Sequence, residues 1–125
     1  MLARENKLSL VSNEGPVLIY TCSVIGEGST VWTGSAFDCP RTNDSIVLRH
    51  TIKYNTTVGT CNSGIIFGKV VAVEGDCFTS QLNISATPDL KGKNITCIQR
   101  NGNEEMIVGS EIIELYRGIL LSCSE

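Results

Sequence analysis

Apolar side chains recur at every second position along several short stretches of this chain. In the stretch from Ile46 to Ile52, one phase holds Ile46, Leu48, His50 and Ile52, while the other holds Val47, Arg49 and Thr51 and continues to Lys53. In Gln81-Leu82-Asn83-Ile84-Ser85 the apolar pair lies on one face and Asn83 on the other; Ile95 and Cys97 stand in the same relation to Asn94. A period of two is the mark of a half-buried β-strand, because successive side chains point to opposite faces of the sheet. Runs rich in such alternation or in β-branched residues predict strands over 8–11, 17–25, 29–37, 46–54, 65–73, 78–85, 93–100 and 106–115. Turn-forming clusters separate them, among them Gly26-Glu27-Gly28, Asn62-Ser63-Gly64 and Glu74-Gly75-Asp76. Asn101-Gly102 is the strongest hairpin signal. The segment from Thr87 to Leu90 suits one short helical turn, and no apolar period of 3.6 extends far enough for a long helix. The reading is an all-β chain folded as a two-sheet antiparallel sandwich.

Length changes this picture little: 125 residues support one two-layer core, so residues 1–125 form a single domain. The core spans about 7–116, with a tail at 117–125. A net charge of −3 and basic residues that never form a run argue against nucleic acid as a partner.

The six cysteines change it more. They are spread along the chain without a CxxC pair, and the single histidine has no cysteine near it in sequence. Tetrahedral metal sites draw close ligand pairs from one turn, so this spacing points away from a metal centre and toward cross-strand disulfides. Disulfides persist in an oxidising compartment. Asn-x-Ser/Thr sequons at Asn43, Asn55, Asn83 and Asn94 agree, and the strand phase leaves all four side chains open to solvent as a glycan requires. The first fifteen residues lack the apolar core of a signal peptide, which leads to the expectation that the chain is a piece of a longer ectodomain.

The order of Cys22 in YTCSV, Trp32 in TVWTG and Cys97 in NITCI resembles an immunoglobulin-superfamily domain of variable or intermediate type. WTGSAFDCP, GTCNSG and CFTSQLNIS are similar to cysteine-rich Ig-like ectodomains of sponge-type cell-surface proteins. The resemblance implies a Greek-key sandwich in which strand B carries Cys22, strand C Trp32 and strand F Cys97. It also implies a Cys22–Cys97 bridge between the sheets, covered by the indole. Three positions depart from the family pattern: Ile95 replaces a tyrosine, Lys91 replaces an aspartate, and Trp32 follows Cys22 by only ten residues. A lectin-like or cadherin-like sandwich therefore stays open. The remaining cysteines, Cys39, Cys61, Cys77 and Cys123, allow three pairings, of which Cys39–Cys61 is preferred as a staple at the sandwich base.

Candidate chemistry is sparse. His50 lies in the apolar phase of its strand and reads as structural. The acidic pairs sit at turns or lack ligand spacing, and no phosphate-binding glycine loop or nucleophile elbow occurs. No enzyme and no cofactor is expected. What remains is recognition of a protein ligand or another cell-surface domain. In family lettering the GFCC′ sheet would present Val47, Arg49, Thr51 and Lys53, bordered by the F–G loop with Arg100, Asn101 and Glu104. The resulting expectation is a non-enzymatic extracellular adhesion or receptor module that meets the membrane only through other parts of its parent protein. A carbohydrate-binding module and a structural spacer in a tandem ectodomain are the alternatives.

Overall fold

A computed structural model describes residues 5–12, 16–51 and 58–114. Among these described residues, nine strands form two antiparallel sheets. They are β1 (Lys7–Ser12), β2 (Val17–Ile25), β3 (Gly28–Thr33), β4 (Ser45–His50), β5 (Val58–Cys61), β6 (Ile66–Glu74), β7 (Cys77–Ser85), β8 (Asn94–Asn101) and β9 (Glu104–Ile112). One sheet has the order β1-β2-β7-β6-β5 and the other β4-β3-β8-β9. The fold is an all-β sandwich. Its helical content among the described residues is confined to three 3₁₀ turns, at Pro40–Thr42, Asn62–Gly64 and Pro88–Leu90, so no described helix is long and apolar enough to cross a membrane.

Alternation decides which side chains enter the core. Leu18, Tyr20, Cys22 and Val24 of β2 meet Ile95 and Cys97 of β8 between the sheets, and all are buried. Trp32 lies at the centre with no exposed surface. Its neighbour in register is Cys97, and its Nε1–H donates across the core to Ser80 Oγ on β7 at 3.1 Å. Ser80 in turn is the register partner of Cys22. The Cys22–Cys97 disulfide, with Cα atoms 6.5 Å apart, therefore lies beside a second, hydrogen-bonded tie between the same sheets. A second disulfide joins Cys39 to Cys61 with Cα atoms 5.0 Å apart, as preferred from the sequence. Cys77 is unpaired and half-buried at the start of β7, while Cys123, Asn55, Lys53 and the 117–125 tail lie outside the described residues.

Several element boundaries differ from expectation. The strand expected over 29–37 ends at Thr33, because Gly34 adopts φ 134° where a Cβ would stand 2.4 Å from the Asn94 carbonyl oxygen. That approach needs glycine. The chain then leaves the sheet well before Cys39. A short strand, β5, which ends at Cys61, is not predicted by the sequence pattern. The β8–β9 hairpin turns at Gly102-Asn103, one residue later than Asn101-Gly102, since Asn101 pairs with Glu104 and Gly102 supplies the positive φ of 65°.

His50 is buried as its phase suggests. Its ring stacks on Phe78 at a centroid distance of 4.5 Å, and Nε2 shares a 3.0 Å hydrogen bond with the Thr30 hydroxyl. Burial holds its pKa below the ordinary 6.5. The unfolded chain thus takes up a proton on this ring that the folded chain resists, so stability is full above pH 6.5 and declines as pH falls below it. Chemical denaturation at stepped pH should show this decline in the parent protein, with a shallower slope between pH 7 and 5 in His50→Gln; equal slopes contradict the assignment.

The central pin gives a second prediction. Ser80→Ala leaves the Trp32 Nε1–H buried without a partner and should cost about 1–3 kcal/mol. Trp32→Ala should cost about 3–5 kcal/mol by opening a cavity. Urea unfolding of the oxidised protein checks both; a Ser80→Ala protein as stable as the parent would remove the hydrogen bond from the account.

Candidate recognition face

The outward side of the sheet β4-β3-β8-β9 is built from three rows of side chains that run across all four strands. Register aligns Val47, Val31, Ile98 and Ile107 in the middle row. On one side of it lie Arg49, Ser29, Arg100 and Glu105, and on the other Ser45, Thr33, Thr96 and Ser110. The sequence gives these strands an inner phase for the core, with Trp32 and Cys97, and an outer phase in which β-branched residues stand between charged and hydroxyl-bearing ones. Val31 is only 3% exposed although it lies outside the core cluster. Val47 at 43% and Ile107 at 67% stand out into solvent.

A β-bulge at Val108, where the register shifts between Cys97 and Ile98, brings Ile107 opposite Ile98 while Val108 packs against the core. Beside the aliphatic row is a shallow depression of about 360 Å³, lined chiefly by Val31, Thr33, Ser45, Val47 and Ile98. The polar rows are ordered. The Arg100 guanidinium pairs with the Glu105 carboxylate at 2.7 Å, and the Thr96 and Ser110 hydroxyls are hydrogen-bonded at 2.8 Å. Both arrangements hold side chains across strands at little further entropic cost on binding.

Of the residues singled out from the sequence, Val47, Arg49 and Arg100 belong to these rows. Asn101 and Glu104 are exposed at the β8–β9 hairpin that borders the charged row, and Thr51 is half-buried just beyond β4. Sequence reading missed Val31, Ile98 and Ile107. The available signal was the apolar residue in the outer phase of each strand, but only the register shows that these residues form one row.

The three described sequons are not equivalent. Asn43 is exposed in a left-handed turn (φ 56°) at the edge of the depression. Asn83 is half-buried between its register partners Ile19 and Phe67, with Oδ1 shielded from solvent and without a hydrogen bond. Asn94 is half-buried: its Oδ1 accepts from the Ser35 N–H at 2.6 Å and from Ser35 Oγ–H at 3.2 Å.

Among the described residues, no group of three or more His, Cys, Asp or Glu side chains could hold a metal ion. Comparison with protein-family models, with curated proteins and with solved structures finds no match for this chain.

Asn94 ties the end of β3 to β8, so Asn94→Ala should destabilise the protein by about 1–2 kcal/mol through the lost bonds to Ser35. Thermal or urea unfolding checks this, and an unchanged midpoint would show that Ser35 finds another partner.

Proposed function

We propose that this chain is an immunoglobulin-type extracellular recognition domain, non-enzymatic, that binds another protein through the outer face of β4-β3-β8-β9. The observation that carries the reading is the continuous aliphatic row, polar on both flanks, on a sheet otherwise patterned for one buried face. An apolar centre with a polar rim is the composition of protein interfaces. In this reading β1, β2, β7 and β6 take the places of strands A, B, E and D, and β4, β3, β8 and β9 those of C′, C, F and G. The Cys22–Cys97 bridge under Trp32 fits that Greek-key assignment. β5 is a departure from the variable type, since it pairs with β6 in the opposite sheet. The two disulfides suit an oxidising environment and support an extracellular setting.

The carbohydrate-binding alternative needs an exposed aromatic platform. The large hydrophobic side chains exposed among the described residues are all aliphatic or methionine, and this favours a protein ligand.

A screen of the oxidised domain against displayed cell-surface proteins tests the proposal. Ile107→Arg should abolish capture, while Val58→Arg, an exposed position on the other sheet, should leave it intact. Both substitutions should keep the unfolding midpoint, because surface changes away from packing cost within about 0.5 kcal/mol. Equal loss in both variants, or capture that survives Ile107→Arg, would contradict the assignment of this face.

A further inference from the structure

We propose that the partner of this face is a second copy of the same chain, docked about a two-fold axis parallel to the strands and running between β3 and β8; the inference rests on the recognition reading above. Such an axis lays β4 over β9 of the second copy and β3 over its β8. Each of the three rows is then matched with itself in reverse order. In the middle row Val47 meets Ile107 at both edges, exposed apolar side chain against exposed apolar side chain, while Val31, only 3% exposed, stands opposite Ile98 at the centre. In the charged row Arg49 meets Glu105, and by symmetry Glu105 meets Arg49, while Ser29 meets Arg100. In the third row Ser45 meets Ser110 and Thr33 meets Thr96, hydroxyl against hydroxyl.

The charge order is what selects the second copy. Read from β4 to β9 the row is positive, neutral, positive, negative, so reversal sets a positive end over a negative one at both edges. A two-fold contact must be self-complementary, and an arbitrary surface row is not. Glu105 already accepts from Arg100 in its own chain, so Arg49 of the second copy would complete an Arg–Glu–Arg arrangement at each edge. Opposite charges placed this way fix register and exclude other alignments. A two-fold axis perpendicular to the strands would instead lay the charged row on the hydroxyl row, with no ion pair between the copies.

Sedimentation equilibrium of the full oxidised chain decides between these arrangements. The expected result is a reversible monomer–dimer equilibrium that Ile107→Arg abolishes. Arg49→Glu alone and Glu105→Arg alone each set like charges face to face and should weaken association by about tenfold or more. An equimolar mixture of the two variants should recover it, because each heterodimer then carries two opposite-charge pairs. A monomer at all concentrations, a dimer that persists as a covalent species without reductant, or a mixture that fails to recover would overturn the proposal. If the chain stays monomeric while Ile107→Arg still abolishes capture of a cell-surface protein, the self-association falls and the recognition face stands. If Ile107→Arg changes neither readout, both fall.

Discussion

Everything in this domain depends on the tie between the two sheets at Cys22, Cys97, Trp32 and Ser80. The disulfide fixes one point of contact between β2 and β8, and the indole hydrogen bond fixes another between β3 and β7. Register partners link the two, because Trp32 stands beside Cys97 and Ser80 beside Cys22. The indole is large enough to fill the space between layers about 10 Å apart, and its one polar atom is satisfied inside that space. With the inner faces locked this way, the outer face of β4-β3-β8-β9 is held as a rigid surface whose rows keep their register.

The two lateral seams of the sandwich are closed by different means. On one side β5 approaches β4 closely at Gly59, where a Cβ would lie 2.7 Å from Ile46 Cγ2, and the Cys39–Cys61 disulfide sits at the end of this seam. On the other side Gly109 of β9 lies against Leu8 of β1. Asn62 reinforces the first seam: its Oδ1 accepts from the Asp38 N–H at 2.7 Å, and its Nδ2 donates to the Ala36 carbonyl at 3.0 Å. The irregular stretch after β3, which carries no strand hydrogen bonds of its own, is thereby pinned to the end of β5.

Much of this architecture was legible in the sequence because period-two burial depends only on local order. The runs containing Leu82 and Ile84, Ile95 and Cys97, and Ile46 and Leu48 each declared their inner face. β5 was not legible: it is four residues long with a glycine in second place, and it is a strand because it pairs with β6. Ser80 could not be recognised as the acceptor for Trp32, since the two are 48 residues apart and serine is common on strands. The candidate recognition face was legible only in part. Val47 and Arg49 followed from strand phase and Arg100 from its place in the F–G loop, but Val31, Ile98 and Ile107 became one surface only once β3, β8 and β9 were placed side by side. The buried Oδ1 of Asn83 is likewise a product of its neighbours Ile19 and Phe67 on adjoining strands, which no local pattern announces.

The claim that the aliphatic row is the binding surface is tested most directly by methyl-labelled NMR of the oxidised chain on titration with its partner or with itself. The methyl signals of Val31, Val47, Ile98 and Ile107 should shift together and saturate with one affinity, while those of Val17 and Val58 on the other sheet stay in place. Shifts confined to Val17 and Val58, or none in the aliphatic row under conditions where binding is complete, would contradict the account.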